Sequence, residues 1–204
     1  MHSRVAGLIG RGLALFLAVA LAGGAAAAPT AESYAIDQRF GAIAFTVRHL
    51  GLFSSTGTFQ RFRGQLTIDE AHPQNTRVAV QIETGSVAMS WAEAVTMLRS
   101  ANYFDVARFP DARFTSTRVQ AEGSGSYEVD GTLEIRGVSQ PVVLHAMLLG
   151  RHAAPEPGVE IADFVVTGQL RRSQFGMTSD SSFISDRVDL RIDARIRLEA
   201  GNAG

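Results

Sequence analysis

Residues 187–199, RVDLRIDARIRLE, alternate between apolar and charged side chains along their whole length. The aliphatic positions are Val188, Leu190, Ile192, Ala194, Ile196 and Leu198, and the positions between them are all Arg, Asp or Glu. A period of two is the pattern of a β-strand with one buried and one solvated face. At about 3.3 Å per residue this strand is roughly 40 Å long, about twice the usual length, which indicates an elongated sheet.

Seven further segments read as strands because each alternates or is continuously apolar between turn signals. They are residues 42–47, 60–68, 77–82, 113–119, 127–136, 141–149 and 160–170. Residues 90–100 are the one good helix candidate, since Ser90 and Glu93 form a capping-box pattern and Trp91, Val95 and Leu98 share a helical face. The sequence therefore predicts a single all-β domain over residues 28–204, an extended eight-stranded antiparallel barrel with one short helix in a cross-connection.

An aromatic-rich link joins the predicted helix to the next strand. Residues 98–116, LRSANYFDVARFPDARFTS, contain Tyr103, Phe104, Phe109 and Phe114, and Pro110 prevents the helix from continuing. Such a link is suited to plug or line an apolar space.

Glycines interrupt two alternating strands at positions 131 and 168. This indicates a bulge or a close backbone approach, and we favour the bulge.

Composition excludes several classes of function. The chain has 204 residues and a formal net charge of −1, and all of its basic residues are arginines spread among the acids. It lacks the basic patch of a nucleic-acid-binding protein. Because it has no cysteine, disulfides, a lipidated cysteine and thiolate zinc sites are excluded. His145 and His152 follow no recognised ligand spacing, and we predict neither a metal nor a cofactor.

Residues 1–27 predict a cleaved secretory signal peptide. Arg4 and Arg11 are followed by the apolar stretch 13–21 and by small residues at 25–28. The apolar stretch is too short for a typical membrane-spanning helix. We therefore expect export to the periplasm.

Several short motifs occur in a specific order along the mature chain. They are YAID at 34–37, FTVRHLG at 45–51, GTF at 57–59, FRG at 62–64, the link at 98–116, VDGTL at 129–133, IRGV at 135–138 with Pro141, and RSQFGM at 172–177. In this order the chain resembles the YceI-like family of periplasmic polyisoprenoid-binding proteins from Tyr34 to about Glu199. The resemblance implies a lipocalin-like barrel with a long apolar tunnel.

The resemblance further implies a carrier or sequestering protein whose ligand is a polyisoprenoid, a prenyl quinone or a fatty-amide lipid. We expect the lipid to contact Phe45, Val47, Phe62, Leu66, Phe104, Phe109, Phe114, Leu133, Ile135, Phe164, Phe175 and Met177. The basic pair Arg171 and Arg172, together with His49, would contact its head group. This hypothesis needs no catalysis, and it allows a homodimer and transient contact with a membrane surface.

Three alternatives remain at this point. A barrel of this size either packs solid or holds a ligand, so a structural or inhibitory module with a filled core stays open. An enzyme would draw on His49, Ser54, Ser55 and Asp69, which lack the local sequence of a catalytic triad. A transmembrane barrel would need an apolar outward face, whereas that of residues 187–199 is charged.

Overall fold

The computed structural model describes residues 32–36, 41–69 and 72–199. The predicted signal peptide, residues 1–27, lies outside these ranges. The described residues form one α-helix, α1 (Ala92–Arg99), and eleven β-strands. The strands are β1 (Glu32–Ala35), β2 (Ala42–His49), β3 (Phe53–Phe59), β4 (Phe62–Ile68), β5 (Arg77–Glu83), β6 (Val87–Ala88), β7 (Asp111–Gly123), β8 (Ser126–Ile135), β9 (Val138–Ala153), β10 (Val159–Arg171) and β11 (Ile184–Glu199).

All strands belong to one antiparallel sheet in the order β1-β4-β5-β7-β8-β9-β10-β11-β2-β3-β6. Ile36, which directly follows β1, forms an antiparallel bridge with Ile196 of β11. β1 is the first strand in this order, and β11 follows β10 further along the sheet. The bridge from the end of β1 to β11 therefore closes the curled sheet on itself. The predicted extended antiparallel barrel with a short helix between strands is confirmed.

The strand count differs from the predicted eight. Alternation did not reveal β3, whose sequence FSSTGTF contains small polar residues at positions of both faces. Only Gln60 and Arg61 separate β3 from β4, so the predicted strand at 60–68 covers the second half of a nearly continuous pair. At the other end of the chain, β11 begins at Ile184, three residues before the charged alternation starts.

The helix lies where the sequence predicts it, but its predicted capping box does not form. Trp91 occupies the N-cap position without a side-chain capping bond, and the helix begins at Ala92. Ala94 and Leu98 are its buried residues, whereas Trp91 is 47% exposed. Among the described residues, no helix is long and apolar enough to cross a lipid bilayer.

The two strand glycines allow close approach of side chains inside the barrel. A Cβ atom on Gly131 would lie 2.4 Å from the ring of Phe114, and one on Gly168 would lie 2.4 Å from Cδ2 of Leu144. The ladder is regular at Gly168, and the register shift near Gly131 lies in the partner strand β7, after Ser116. The bulge that we favoured at Gly168 is therefore wrong, and close approach explains both glycines.

We predict that Gly131→Ala lowers the free energy of unfolding in urea by about 1–3 kcal/mol, because the added methyl group would lie 2.4 Å from the Phe114 ring and 2.7 Å from the Thr115 carbonyl oxygen. Gly150→Ala in β9 is the matched control, since nothing lies within 4 Å of its Cβ position. The control should stay within about 0.5 kcal/mol of the parent protein. Equal effects of the two substitutions would contradict the close-approach explanation.

Candidate functional site

An internal cavity of about 620 Å³ occupies the barrel. Its wall follows β11 from Ile184 to Leu198, which corresponds to roughly 45 Å of strand at about 3.3 Å per residue. Most of the lining residues are aliphatic or aromatic, and they come from all sides of the barrel. The barrel interior therefore contains a long apolar cavity, here called the tunnel, which is bordered by residues of the hydrophobic core.

Three phenylalanine rings form a cluster in the cavity wall. Phe45 lies 5.5 Å from Phe59 and 6.3 Å from Phe104, and Phe59 lies 5.4 Å from Phe104, between ring centroids. Phe104 comes from the link after α1, where its amide donates to the Leu98 carbonyl (2.9 Å). The link thus holds an aromatic side chain against two strands, as its composition predicts.

Most residues predicted to contact a lipid lie in the cavity wall. Ten of the twelve do so: Phe45, Val47, Phe62, Leu66, Phe104, Phe114, Leu133, Ile135, Phe164 and Met177. Of the three predicted head-group residues, His49 and Arg172 also line the cavity. The structure thus brings together residues that lie far apart in the sequence.

The structure places Phe109, Phe175 and Arg171 outside the lining. Phe109 is half-buried beside the Arg108 guanidinium, 5.1 Å from its ring centroid. Phe175 is 1% exposed and packs within the hydrophobic core, so its surface is covered by protein. The Arg171 side chain is 73% exposed and pairs with Asp186 (3.6 Å). We remove these three residues from the candidate site.

Sequence reasoning missed a large part of the wall. The missed residues include Phe59, the inward face of β5 (Val78, Val80 and Ile82), that of β11 (Val188, Leu190, Ile192, Ala194, Ile196 and Leu198), and Trp91, Ala94, Met97 and Leu98 in and beside α1. Parity along β11 was the strongest signal for these residues. It showed which residues share a face but not that this face borders a cavity.

Polar groups lie at one end of the cavity. His49 and Ser55 both line it, and Ser55 pairs with Val47, two residues from His49. The Nε2 atom of His49 is buried and has no hydrogen-bond partner among the described residues. A buried polar atom without a partner is costly, and it marks a position where a ligand group would be stabilised.

Arg172 is a buried cation at the same end, 4% exposed. Its Nε donates to the Ser185 carbonyl (3.0 Å) and its Nη2 to the Ile184 carbonyl (3.0 Å). Its Nη1 donates to the Met177 (2.9 Å) and Ser179 (2.6 Å) carbonyls. These bonds occupy four of its five N–H donors. Arg172 therefore holds the loop before β11 in place and lines the cavity at this end.

The side chains of Tyr103 and Arg136 also form hydrogen bonds that hold the segments around this end of the cavity. The Tyr103 hydroxyl donates to Asp180 Oδ2 (2.5 Å). Arg136, in the turn between β8 and β9, donates through Nη1 to the Gly176 carbonyl (2.9 Å) and through Nη2 to the Ala101 carbonyl (3.1 Å). Burial, together with the bond to Asp180, raises the pKa of Tyr103 to about 12.

The opposite end of the cavity contains Asp69. This buried carboxylate accepts from the His72 amide (2.8 Å) and from Asn75 Nδ2 (2.9 Å). The bond from Asn75 is the main reason that the pKa of Asp69 lies below its usual range. Asp69 follows β4, whereas His49 ends β2 beside the start of β3. Asp69 and His49, both considered for a catalytic triad, therefore lie at different ends of the barrel.

Outside the cavity, Glu122, Glu128 and His145 place their ligand atoms within 4.8 Å of one another. Glu128 and His145 are direct cross-strand neighbours on β8 and β9. Exposed acidic groups of this kind are common in proteins without a bound metal. The cluster is separate from the candidate site.

Comparison with known proteins identifies the family. The model of the YceI-like domain matches residues 34–196. The chain belongs to the YceI-like family. Protein YceI of Salmonella arizonae is 38% identical over 164 residues, covering 79% of this chain and 85% of that protein, and the protein of the same name from Salmonella paratyphi B matches equally.

Solved structures share the fold. The YceI protein of Campylobacter jejuni superposes with a TM-score of 0.68 at 25% identity, covering 74% of this chain and 90% of that one. BcnA of Burkholderia cenocepacia gives a TM-score of 0.68 at 20% identity, covering 78% and 98%. A polyisoprenoid-binding domain from Saccharophagus degradans gives a TM-score of 0.56 at 16% identity, covering 82% and 98%. This YceI-like chain therefore has the barrel of its family.

Alkaline pH should destabilise the protein through Tyr103. The chain contains neither lysine nor cysteine, so tyrosines are the side chains that titrate between about pH 9 and 12. Between pH 10 and 12 the unfolded chain loses the Tyr103 proton while the folded protein keeps it, and the free energy of unfolding falls. Tyr103→Phe should lose this part of the pH dependence in urea unfolding. An unchanged dependence would show that Tyr103 titrates normally.

Proposed function

We propose that this protein binds a long-chain isoprenoid or a similar amphiphilic lipid in its cavity and carries or sequesters that lipid in the periplasm. The observation that supports the proposal best is the apolar cavity of about 620 Å³ along the length of the barrel. Pockets of 300–1,000 Å³ are typical of small-molecule sites. An apolar chain gains about 0.8 kcal/mol for each methylene group that it removes from water, so the lining provides strong binding without catalysis.

The size of the cavity argues against a purely structural barrel. A purely structural barrel would gain packing contacts by filling this space with larger side chains. The apolar lining residues instead border a cavity of about 620 Å³, which favours a binding function.

A structural relative supports this proposal by analogy. One protein with the same fold is named as a polyisoprenoid-binding domain, and at 16% identity its ligand is an argument by analogy. The separation of Asp69 from His49 favours binding over hydrolytic chemistry. The periplasmic location follows from the signal predicted in residues 1–27.

The polar end of the cavity is the proposed head-group site. His49 Nε2 offers a buried atom for a hydrogen bond to the ligand, and the Ser55 hydroxyl lies on the same side. Arg172 lines the same end and holds the loop before β11 through bonds to main-chain carbonyls. These groups suit a head group that carries oxygen, such as a quinone carbonyl, an amide or a phosphate. Arg171 has no part in this site.

Filling the tunnel should abolish lipid binding without introducing a buried charge. Ala146 of β9 lies in the cavity wall, and Ala146→Phe would place a ring in the path of the lipid chain. Native mass spectrometry of protein purified from the periplasm should show a stoichiometric lipid on the parent protein and none on this variant. Ala79→Phe on the exposed face of β5 is the matched control and should keep the lipid.

Two results would contradict the proposal. One is a folded Ala146→Phe variant with the lipid occupancy of the parent protein. The other is a parent protein that carries no lipid and whose mass does not shift with an added polyprenol or prenyl quinone. That second result would favour a structural or inhibitory role.

The head-group site has its own test. His49→Phe should weaken binding of a polyprenol or prenyl quinone by about 3- to 10-fold, the value of one hydrogen bond. Binding of squalene, an isoprenoid hydrocarbon without a head group, should not weaken. His145→Phe, an exposed histidine on β9, serves as the control. Equal losses for both lipids would mean that His49 only shapes the cavity.

A further inference from the structure

The turn between β2 and β3 exposes an unusual number of large apolar side chains. Leu50 is 62% exposed, Leu52 78% and Phe53 70%. Phe183, from the loop before β11, is 61% exposed and lies beside them, because the Leu50 amide donates to the Phe183 carbonyl (2.9 Å). We call these four residues the apolar tip.

The backbone of the turn is held in a conformation that leucine disfavours. The Leu52 amide donates to the His49 carbonyl (2.9 Å), and both central residues, Leu50 (φ 49°) and Gly51 (φ 71°), have positive φ. This is the pattern of a type I′ turn, in which Asn, Asp or Gly normally occupies the first central position. Leucine there is strained. Local strain at an exposed apolar residue points to a function for that side chain outside the fold.

The apolar tip adjoins the polar end of the cavity. His49 directly precedes Leu50, Ile184 directly follows Phe183, and both His49 and Ile184 line the cavity. Trp91 and Met97 also line it and are 47% and 38% exposed, so the cavity wall reaches the surface at the two ends of α1. The tip itself adjoins the cavity through His49 and Ile184.

We infer that the apolar tip inserts into the surface of a lipid bilayer and positions the cavity to exchange its lipid with the membrane. This inference rests on the proposed function, because a lipid carrier must take up its ligand from a membrane. Large apolar side chains on a convex turn match the shallow insertion of peripheral membrane proteins. Arg48 is exposed beside the tip and has no ion-pair partner among the described residues, which suits anionic lipid head groups.

A bilayer fits this surface better than a protein partner. A stable protein interface needs about 800 Å² of contact on each side, and four side chains on a narrow turn fall short of that area. A bilayer needs no complementary shape, and it also supplies the lipid. The exposed apolar residues Val143, Met147 and Leu149 lie on β9 and not on this turn, so they are not part of the apolar tip.

The test is flotation with vesicles of phosphatidylethanolamine and phosphatidylglycerol. The double variant Leu52→Ser with Phe53→Ser should reduce vesicle binding by about tenfold or more, and it should slow transfer of a prenyl quinone from the vesicles to the protein. Leu149→Ser is the matched control, since Leu149 is 62% exposed on β9. The control should bind vesicles as the parent protein does.

A second measurement separates this inference from the proposed function. Equilibrium binding of a detergent-solubilised prenyl quinone, followed by the fluorescence of Trp91, the single tryptophan, should be unchanged in the double variant. Unchanged vesicle binding by that variant would overturn the inference while leaving lipid binding intact. A parent dimer that the double variant converts to monomer, with no vesicle binding by either, would show a self-association surface and also overturn it. Vesicle binding without any quinone uptake by the parent protein would contradict the proposed function and lipid exchange, while the membrane contact of the tip would stand.

Discussion

The barrel depends on the two ladders that β11 forms with its neighbours. All thirteen residues of β10 pair with it on one side, and β2 and the bridge at Ile36 pair with it on the other. Because its side chains alternate, the register of β11 decides which residues of the adjoining strands face inward. A slip of one residue would turn a full row of charges into the cavity, so the alternation specifies one register and one interior.

The cavity stays open because side chains lie flat on strand glycines. An ideal Cβ on each of four glycines would lie within 2.5 Å of a side chain from a neighbouring strand or segment. The pairs are Phe45 on Gly57, Ile36 on Gly64, Phe114 on Gly131 and Leu144 on Gly168. A side chain that lies along the wall covers backbone without reaching the middle of the barrel. The lining residues are thus closely packed at the wall and still border a cavity.

Sequence patterns predict the strands and the residues that share a face, but they do not predict contacts across the barrel. Side-chain alternation along a strand puts Phe62 on the same face as Leu66, and Leu133 on the same face as Ile135. All four residues line the cavity. Phe114 and Phe175 both belong to the hydrophobic core, and no local pattern predicts that Phe114 also lines the cavity whereas Phe175 does not. That difference depends on what lies opposite each ring. The sequence also does not predict that the Nε2 atom of His49 lacks a hydrogen-bond partner among the described residues, because such a partner would come from a segment distant in sequence.

The two proposals together determine how a lipid would lie in the barrel. The head-group site and the apolar tip occupy the same end, because His49 belongs to the first and directly precedes the second. A lipid taken up at this end would extend its chain along β11 toward Leu198. Its head group would remain beside His49, at the end of the barrel that carries the apolar tip. Asp69 reinforces this orientation, because its carboxylate at the far end already accepts two hydrogen bonds and would repel an anionic head group.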